Sequence, residues 1–207
     1  MGFANGMFTG IVEEIGVALS VDRSPDGATF YISSSKAVVG LQIGDSVCVN
    51  GVCVTAIKID KKGFWFEAIR ETLQRSNLGN LEAGGKVNLE SPLSVNGQFS
   101  GHFVQGHVDG VAKLVGRNAD GASLRLRLKI KDDLIRYIVN KGYVALDGVS
   151  LTVVQVDGNC FEVALVPHTI DNIVMASMDC GYRCNVEVDI VAKYVESFMA
   201  SRAEGLG

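Results

Sequence analysis

Two stretches of this chain, Val47-Cys-Val-Asn-Gly-Val-Cys-Val-Thr55 and Val144-Ala-Leu-Asp-Gly-Val-Ser-Leu-Thr152, repeat one pattern 97 positions apart (147 minus 50). In each stretch apolar residues flank an Asn-Gly or Asp-Gly pair. Such pairs tolerate the positive φ angles that a type I′ hairpin turn requires. The same shift carries Glu71-Thr-Leu onto His168-Thr-Ile. A solenoid needs several shorter units, so two long copies predict two similar domains in tandem.

Short strands are the prevailing element of both copies. Val- and Ile-rich runs separated by glycines predict strands in the first copy over residues 8–18, 45–50, 52–59, 64–69 and 86–89. About six strands per copy indicate a small closed barrel, because closure leaves no exposed edge. The predicted fold class is therefore all-β, with two tandem six-stranded β-barrels from an internal duplication.

A helix is predicted at the end of the chain. Its apolar positions form two rows at spacing four: Ile190, Tyr194 and Phe198, then Val191, Val195 and Met199. This pattern lies beyond the last repeat match, so the helix belongs to neither barrel. Its apolar stripe must pack either on its own barrel or on another subunit. Shorter helices are predicted over 132–139 and, more faintly, over 37–41.

The predicted domains are an N-terminal barrel over 1–97, a C-terminal barrel over 98–189, and a terminal helix and tail over 190–207. Residues 91–100 form the expected linker. Lys and Arg number 19 against 23 Asp and Glu, without a basic run, which argues against a nucleic-acid partner. The apolar runs are shorter than the ~20 residues of a membrane-spanning helix.

Five cysteines, an odd number without paired spacing, argue against a disulfide scaffold and for a reducing, cytoplasmic location. Cys180 and Cys184 have only a weak resemblance to zinc ligands, so no metal site is predicted.

The chemistry-bearing positions that differ between the copies are the best functional candidates. Cys53 corresponds to Ser150, His107 to Ile11, and Lys141 to Gly44. Cys53 follows a turn, where a thiol is either partly exposed or a small buried hydrophobe. His102 is five residues from His107, so on a regular strand the two face opposite ways unless Gly106 introduces a bulge. His107 lies within the repeated Gly-x-Val element, which makes it the better candidate. Lys141 near a helix end could simply favour the helix dipole.

Four motifs together resemble the riboflavin synthase family: Met7-Phe-Thr-Gly-Ile-Val-Glu13, Asn50-Gly-Val-Cys-Val-Thr55, Ser100-Gly-His-Phe-Val-Gln-Gly-His-Val-Asp109 and Asp147-Gly-Val-Ser-Leu-Thr-Val153. The resemblance runs from about residue 8 to 197. It implies two six-stranded Greek-key barrels and a C-terminal helix that builds a homotrimer. It also implies an active site between the N-terminal barrel of one subunit and the C-terminal barrel of its neighbour.

The implied reaction is the dismutation of two molecules of 6,7-dimethyl-8-ribityllumazine to riboflavin and 5-amino-6-ribitylaminouracil, the last step of riboflavin biosynthesis. No cofactor is implied, because the pteridine heterocycle is its own electron sink. The protein has to stack two rings, polarise the acceptor and move protons. The expected partners are the pteridine substrate, two further copies of the chain and, as an open question, lumazine synthase.

The resemblance also implies the site residues. The N-barrel pocket would involve Gly10, Ile11, Val12, Cys53, Val54, Thr55, the run Glu67, Ala68, Ile69, Arg70, Glu71 and Thr72, and Gly106, His107 and Val108. The C-barrel pocket would involve Lys141, Ser150, Leu151, Thr152 and the run Val166, Pro167, His168, Thr169, Ile170 and Asp171. The residues expected to bear on catalysis are Cys53, His107, Ser150, Thr152, Lys141, Asp147, Ser46 and Asp189.

Within this set His107 is the expected proton carrier and Cys53 the nucleophile or the acceptor-side donor. Ser150 and Thr152 would hydrogen-bond the pteridine edge. In the second half, Ala176 stands where the first copy has Gly79, which leaves the geometry of that loop open. The main alternative is a non-catalytic lumazine-binding antenna protein, a related class that lacks the thiol and the histidine of the catalytic set.

Overall fold

The structure, a computed structural model, describes residues 6–94 and 96–204, with side chains to residue 201. The strands of the first half are β1 (Glu14–Ser24), β2 (Gly27–Ser33), β3 (Ser46–Val49), β4 (Val52–Thr55), β5 (Lys58–Ile59), β6 (Gly63–Ile69) and β7 (Lys86–Glu90). Those of the second half are β8 (Gly110–Asp120), β9 (Ser123–Lys129), β10 (Tyr143–Leu146), β11 (Val149–Asp157), β12 (Cys160–Leu165) and β13 (Arg183–Val188). The helices are α1 (Arg70–Arg75), α2 (Asp132–Ile135), α3 (Pro167–Asn172) and α4 (Ile190–Glu204).

The internal duplication is visible in the order of these elements. β3 and β10 are each joined to the next strand by the predicted tight turn, and φ is +46° at both Asn50 and Asp147. The glycines that follow have φ of +78° and +79°. Positive φ at both central positions is the geometry of a type I′ turn, which explains why both copies keep this dipeptide.

The two halves close their barrels to different extents. The second half forms a closed six-stranded barrel in the order β10-β11-β12-β9-β8-β13. In the first half the counterpart of β11 is divided into β4 and β5, and the sheet runs β4-β3-β7-β1-β2-β6-β5 without closing. The division falls where the amide of Ala56 bonds back to Asp45 O and that of Ile57 bonds to Trp65 O. The predicted all-β fold is confirmed, with one closed and one interrupted barrel.

Each barrel encloses its own hydrophobic core. Along β2 the burial alternates, because successive side chains face opposite sides of a strand, and Phe30 and Ile32 point inward. Phe30 stacks on Phe66 with ring centroids 4.8 Å apart. In the second half Leu128 and Phe161 are among the fully buried side chains. Two separate cores agree with two domains of about a hundred residues each.

The segments that lead into β1 and β8 cross one another between the barrels. We call residues 6–12 the first crossing segment and residues 101–108 the second. They meet at an antiparallel bridge in which Phe8 N donates to Val104 O at 3.0 Å and Val104 N donates to Phe8 O at 3.2 Å. Both side chains are fully buried. At this bridge the leading segment of each copy of the repeat crosses to the barrel of the other copy.

Beyond the bridge each crossing segment lies on the opposite half. Gly10 O accepts from Ser150 N at 2.8 Å, and Gly106 O accepts from Cys53 N at 2.8 Å. Val12 packs against the core of the second barrel and Val108 against that of the first. Each barrel is therefore completed by the leading segment of the other copy.

A buried polar layer also joins the halves around their approximate two-fold axis. Asn88 Nδ2 donates to Asp147 O at 3.0 Å, and Asn185 Nδ2 donates to Asn50 O at 2.7 Å. The two hairpin turns meet so closely that a Cβ at Gly51 would lie 2.7 Å from the amide of the glycine that follows Asp147. These contacts make the two barrels one packed unit.

Three local predictions are wrong. The strand expected over 8–18 begins only at Glu14, because residues 8–12 belong to the first crossing segment. Residues 37–40 form turns rather than a helix. The helix expected over 132–139 is a single turn, Asp132–Ile135.

Helix α4 extends from the end of β13 and is held by its polar side. Lys193 Nζ bonds Asp109 Oδ1 at 2.6 Å, and Glu196 pairs with Arg136 at 3.1 Å. Both predicted apolar rows are largely exposed on the single chain, with Phe198 at 71% and Tyr194 at 61%. Across the described ranges 6–94 and 96–204, no helix is both long and apolar enough to cross a membrane.

Candidate functional site

The first site surrounds Cys53, one residue into β4 after the Asn50 turn. Cys53 and His107 together line two adjoining cavities of about 330 Å³ and about 230 Å³. The larger cavity is bordered by Phe103 of the second crossing segment and by Ile190 and Tyr194 of α4. The thiol and the imidazole thus come from different copies of the repeat and meet only because the segments cross.

The environment of Cys53 keeps its sulfur protonated. Burial raises the pKa of the Cys53 thiol, and the negative charge of Glu187 adds to the effect, whereas a hydrogen bond with Ser46 opposes it. A thiolate is the nucleophilic form of cysteine, so a raised pKa disfavours nucleophilic attack at neutral pH. A partly buried thiol can instead donate a weak hydrogen bond or a proton to a ligand in the cavity.

His107 is exposed to the cavity, while its backbone is fixed. Glu187 Oε2 accepts from Gly106 N at 2.9 Å and from His107 N at 3.1 Å, and Oε1 accepts from Gln105 N at 2.7 Å. The Glu187 residue is buried, with 4% of its surface exposed. Burial raises the pKa of Glu187 above its ordinary value, and the backbone hydrogen bonds oppose this shift.

The second site surrounds Ser150, the counterpart of Cys53. His102 Nδ1 lies 2.7 Å from Ser150 Oγ, and the imidazole stacks on Tyr143 with centroids 5.2 Å apart. Burial lowers the pKa of His102, although the charge of Asp189 opposes the shift, so the ring is neutral at neutral pH. Nε2 is buried and makes no hydrogen bond to any described residue. With the proton on Nε2, Nδ1 accepts a hydrogen bond from the serine hydroxyl.

Both histidines come from the second crossing segment. The first crossing segment carries Gly6 where the second has His102, and Ile11 where the second has His107. Gly6 lies against Ser46, since a Cβ there would be 2.9 Å from the serine Cβ. His102 serves the second site and His107 the first, in agreement with the expectation that the two face different pockets.

Several predicted site residues line the smaller cavity, and others lie outside both cavities. Ile69, Glu71 and Thr72 line the smaller cavity beside Cys53, together with Gly106 and Val108. Thr55 and Thr152 are exposed at corresponding positions of β4 and β11, whereas Glu67 and Arg70 are exposed without lining either cavity. Residues 166–171, with His168 exposed, begin α3 just as 69–74 begin α1.

Other predicted residues are placed differently. Gly10, Ile11 and Val12 were expected in the first pocket, but Gly10 abuts Ser150, so that segment belongs to the second half. Asp147 was expected among the catalytic groups, yet it is 0% exposed and bonded to Asn77, Tyr182 and the amide of Asn185, out of reach of a ligand. Three further side chains point into the barrel cores and can meet a ligand only through their backbone: Val54, Ala68 and Leu151.

Two predicted groups have a defined local role. Lys141 has φ of +66°, a left-handed conformation that its counterpart Gly44 adopts at +98°. A lysine there is strained, and strain of this kind clusters at functional sites. Asp189 Oδ1 accepts from Val191 N at 3.0 Å at the start of α4. The loop around Ala176 forms a 3₁₀ turn like that of the first copy. Alanine in place of the glycine found at position 79 therefore leaves the turn intact.

Sequence reasoning missed the buried carboxylates behind the two sites. Glu90 accepts from Thr9 N at 2.7 Å and Gly10 N at 3.1 Å, as Glu187 does in the other half. Burial raises the pKa of Glu90 to about 7. The repeated Asn-x-Glu at 88–90 and 185–187 was the available signal, but nothing in it shows what the side chains bind. Within the described part of the chain, no group of three or more His, Cys, Asp or Glu is arranged to hold a metal ion.

Comparisons with known proteins agree with this architecture. The lumazine binding domain family matches the chain twice, over residues 9–92 and 105–189. The structure of LumP complexed with 6,7-dimethyl-8-(1′-D-ribityl) lumazine superposes with a TM-score of 0.77 over 87% of this chain and 98% of that chain, at 23% identity. At this identity the superposition shows the fold alone. The chain is thus a protein of two lumazine binding domains.

Closer relatives narrow the class. The riboflavin synthase of Actinobacillus pleuropneumoniae is 38% identical over 95% of this chain and 91% of its own length. The riboflavin synthase of Schizosaccharomyces pombe is 40% identical over 93% of this chain and 94% of its own length. The chain belongs to the riboflavin synthase family, which confirms the resemblance carried by its four motifs.

Proposed function

We propose that the protein converts two molecules of 6,7-dimethyl-8-ribityllumazine into riboflavin and 5-amino-6-ribitylaminouracil by transfer of a four-carbon unit. The observation that carries this proposal is the meeting of Cys53 and His107 at two adjoining cavities. A binding protein needs only a slot for the ring, whereas this site adds a thiol donor and an exposed imidazole.

The chemistry requires a proton to leave the C7 methyl group of one lumazine. The resulting carbanion attacks the second lumazine, and the bonds to the transferred unit break after both rings are joined. Overall the exchange needs no external oxidant or reductant. His107, which is exposed and whose backbone is fixed by Glu187, takes up and returns protons. Cys53, whose raised pKa keeps the thiol protonated, donates a hydrogen bond towards the acceptor ring.

The second site is suited to hold the other lumazine. His102 Nδ1 is hydrogen-bonded to Ser150 Oγ at 2.7 Å and thereby fixes the orientation of the serine hydroxyl beside a ligand. Thr152, two residues after Ser150 and on the same face of β11, is exposed. Stacking two rings in register is itself a large contribution, since a well-oriented pair can gain ~7–11 kcal/mol over reactants free in solution.

The two lumazines are proposed to meet between subunits of a homotrimer. Ile190 and Tyr194 of α4 border the Cys53 cavity, and the neighbouring α4 side chains Val195 and Phe198 are exposed on the single chain. A subunit that packs on this stripe would therefore stand beside Cys53. In sedimentation experiments the Val195→Asp, Phe198→Asp double variant should be monomeric and nearly inactive. A fully active monomer would contradict the composite site.

Incubation of the protein with the lumazine, followed by riboflavin fluorescence, tests the reaction directly. Tight lumazine binding without riboflavin formation would favour the alternative, a non-catalytic lumazine-binding antenna protein. Cytoplasmic location and association with lumazine synthase remain proposals from the sequence.

A further inference from the structure

We propose that Glu187 is a positioning residue for the reaction and acts through His107. The inference rests on the proposed function and deepens it. Glu187 lies on β13 of the second barrel, paired with Ala145 of β10, but its carboxylate reaches the segment that covers the first site. One side chain thus connects the sheet of the second barrel to the histidine of the same copy that lies over the first site.

The carboxylate is surrounded by donors that belong to one short stretch. All three consecutive amides from Gln105 to His107 point at its two oxygens, at 2.7 to 3.1 Å. Charge-assisted hydrogen bonds of this kind are roughly twice as strong as neutral ones. Because Gly106 in turn accepts from Cys53 N, the same stretch is fixed on both sides. The backbone of His107 has little freedom to move relative to the thiol.

The backbone of Gly106 leaves no room for an alternative arrangement. Its φ is +77°, and a Cβ at this position would lie 2.5 Å from Cys53 Cβ. A carboxylate is suited to hold such a turn, since it accepts hydrogen bonds from several backbone amides and has no hydrogen-bond donor of its own. The substitution Glu187→Gln replaces one carboxylate oxygen by an NH₂ group, which would then face one of these amides. Such a donor–donor contact would displace the segment.

The molecule contains its own matched control. Glu90 is the counterpart of Glu187 and is similarly buried, at 5% against 4% exposed. It accepts from the amides of Thr9 and Gly10 in the first crossing segment, next to Ser150 rather than Cys53. A general loss of stability should follow from either substitution, whereas displacement of His107 should follow only from Glu187→Gln.

Backbone hydrogen exchange measured by mass spectrometry tests the positioning without reference to activity. Glu187→Gln should accelerate exchange at least tenfold in a peptide covering 101–108 and leave 8–12 protected. Glu90→Gln should do the reverse. Equal protection of 101–108 in wild type and Glu187→Gln would overturn the proposal, and so would loss of protection over the whole chain.

A double-mutant cycle tests the route through His107. Glu187→Gln should lower kcat about tenfold, with KM nearly unchanged, because misplacement by ~1 Å can cost up to 10²-fold. In the His107→Ala background the same substitution should lower kcat less than twofold, whereas Glu90→Gln should have the same effect in both backgrounds. A full tenfold loss in the His107→Ala background would overturn the proposal.

The hydrogen-exchange experiment and the double-mutant cycle together distinguish a failure of this proposal from a failure of the proposed function. If the wild type forms no riboflavin, the proposed function fails, and with it the catalytic role of Glu187. The exchange experiment would then still show whether the carboxylate holds the second crossing segment.

Discussion

Replacement of Asp147 by asparagine should make the stability of the protein less sensitive to pH. Asp147 is fully buried between the halves, and burial raises its pKa from 3.8 to about 7, although hydrogen bonds from Asn185, Tyr182 and Asn77 oppose the shift. The folded protein therefore binds the proton more tightly than the unfolded chain. Stability falls as pH rises from about 4 through 7, and the loss is complete above that range.

The magnitude follows from the two pKa values. Each unit of pKa difference between folded and unfolded states is worth ~1.4 kcal/mol, so ionisation of Asp147 costs the fold on the order of 4 kcal/mol above pH 7. Asparagine cannot ionise, but it weakens the bond from the Tyr182 hydroxyl, which at pH 4 reaches a neutral carboxyl group, at a cost of roughly 0.5–1.5 kcal/mol. Asp147→Asn should thus be less stable than wild type at pH 4 and more stable at pH 8.

Urea unfolding from pH 4 to 8 measures this difference. Other buried carboxylates contribute the same slope to both proteins and cancel in the comparison. Asp60→Asn is the control, because Asp60 is exposed and its pKa is lowered, chiefly by the amide of Lys62. Ionised Asp60 stabilises the fold, and that contribution is lost at low pH, so the control should show the opposite trend. If the Asp147→Asn difference stays constant across pH, the pKa argument is refuted.

Three further outcomes are expected. Cys53→Ser and His107→Ala should each lower the rate of riboflavin formation about 10²-fold, because each removes a group that acts on protons in the reaction. Lumazine affinity, measured by fluorescence titration, should change little. Turnover at the wild-type rate in both variants would show that neither residue takes part in catalysis. Lys141→Gly should raise the free energy of unfolding by about 1 kcal/mol, because glycine relieves the strain at positive φ, and should reduce turnover; unchanged turnover would show that the strain is structural. Gly51→Ala should lower the melting temperature sharply, because its Cβ would meet backbone of the other half at 2.7 Å; a wild-type melting curve would refute that contact.

Much of the architecture was predictable from the sequence because it depends on local patterns. Asn-Gly and Asp-Gly pairs between strands favour a type I′ turn, and the presence of such a pair at both Asn50-Gly51 and Asp147-Gly148 revealed the duplication. The apolar rows of α4 likewise show in the sequence that one face of the helix is apolar. Cys53 was identifiable because it differs from its own counterpart, Ser150.

Local patterns were therefore sufficient to predict the duplicated β fold, the turns, the terminal helix and most candidate residues. Which copy each residue serves depends on contacts between distant parts of the chain. Nothing local to residues 8–12 distinguishes packing on their own barrel from crossing to the other at the Phe8–Val104 bridge. The burial of Asp147 and the hydrogen bonds from the second crossing segment to Glu187 also depend on contacts between distant parts of the chain. Such contacts arise when two copies pack face to face, and no short-range pattern records that packing.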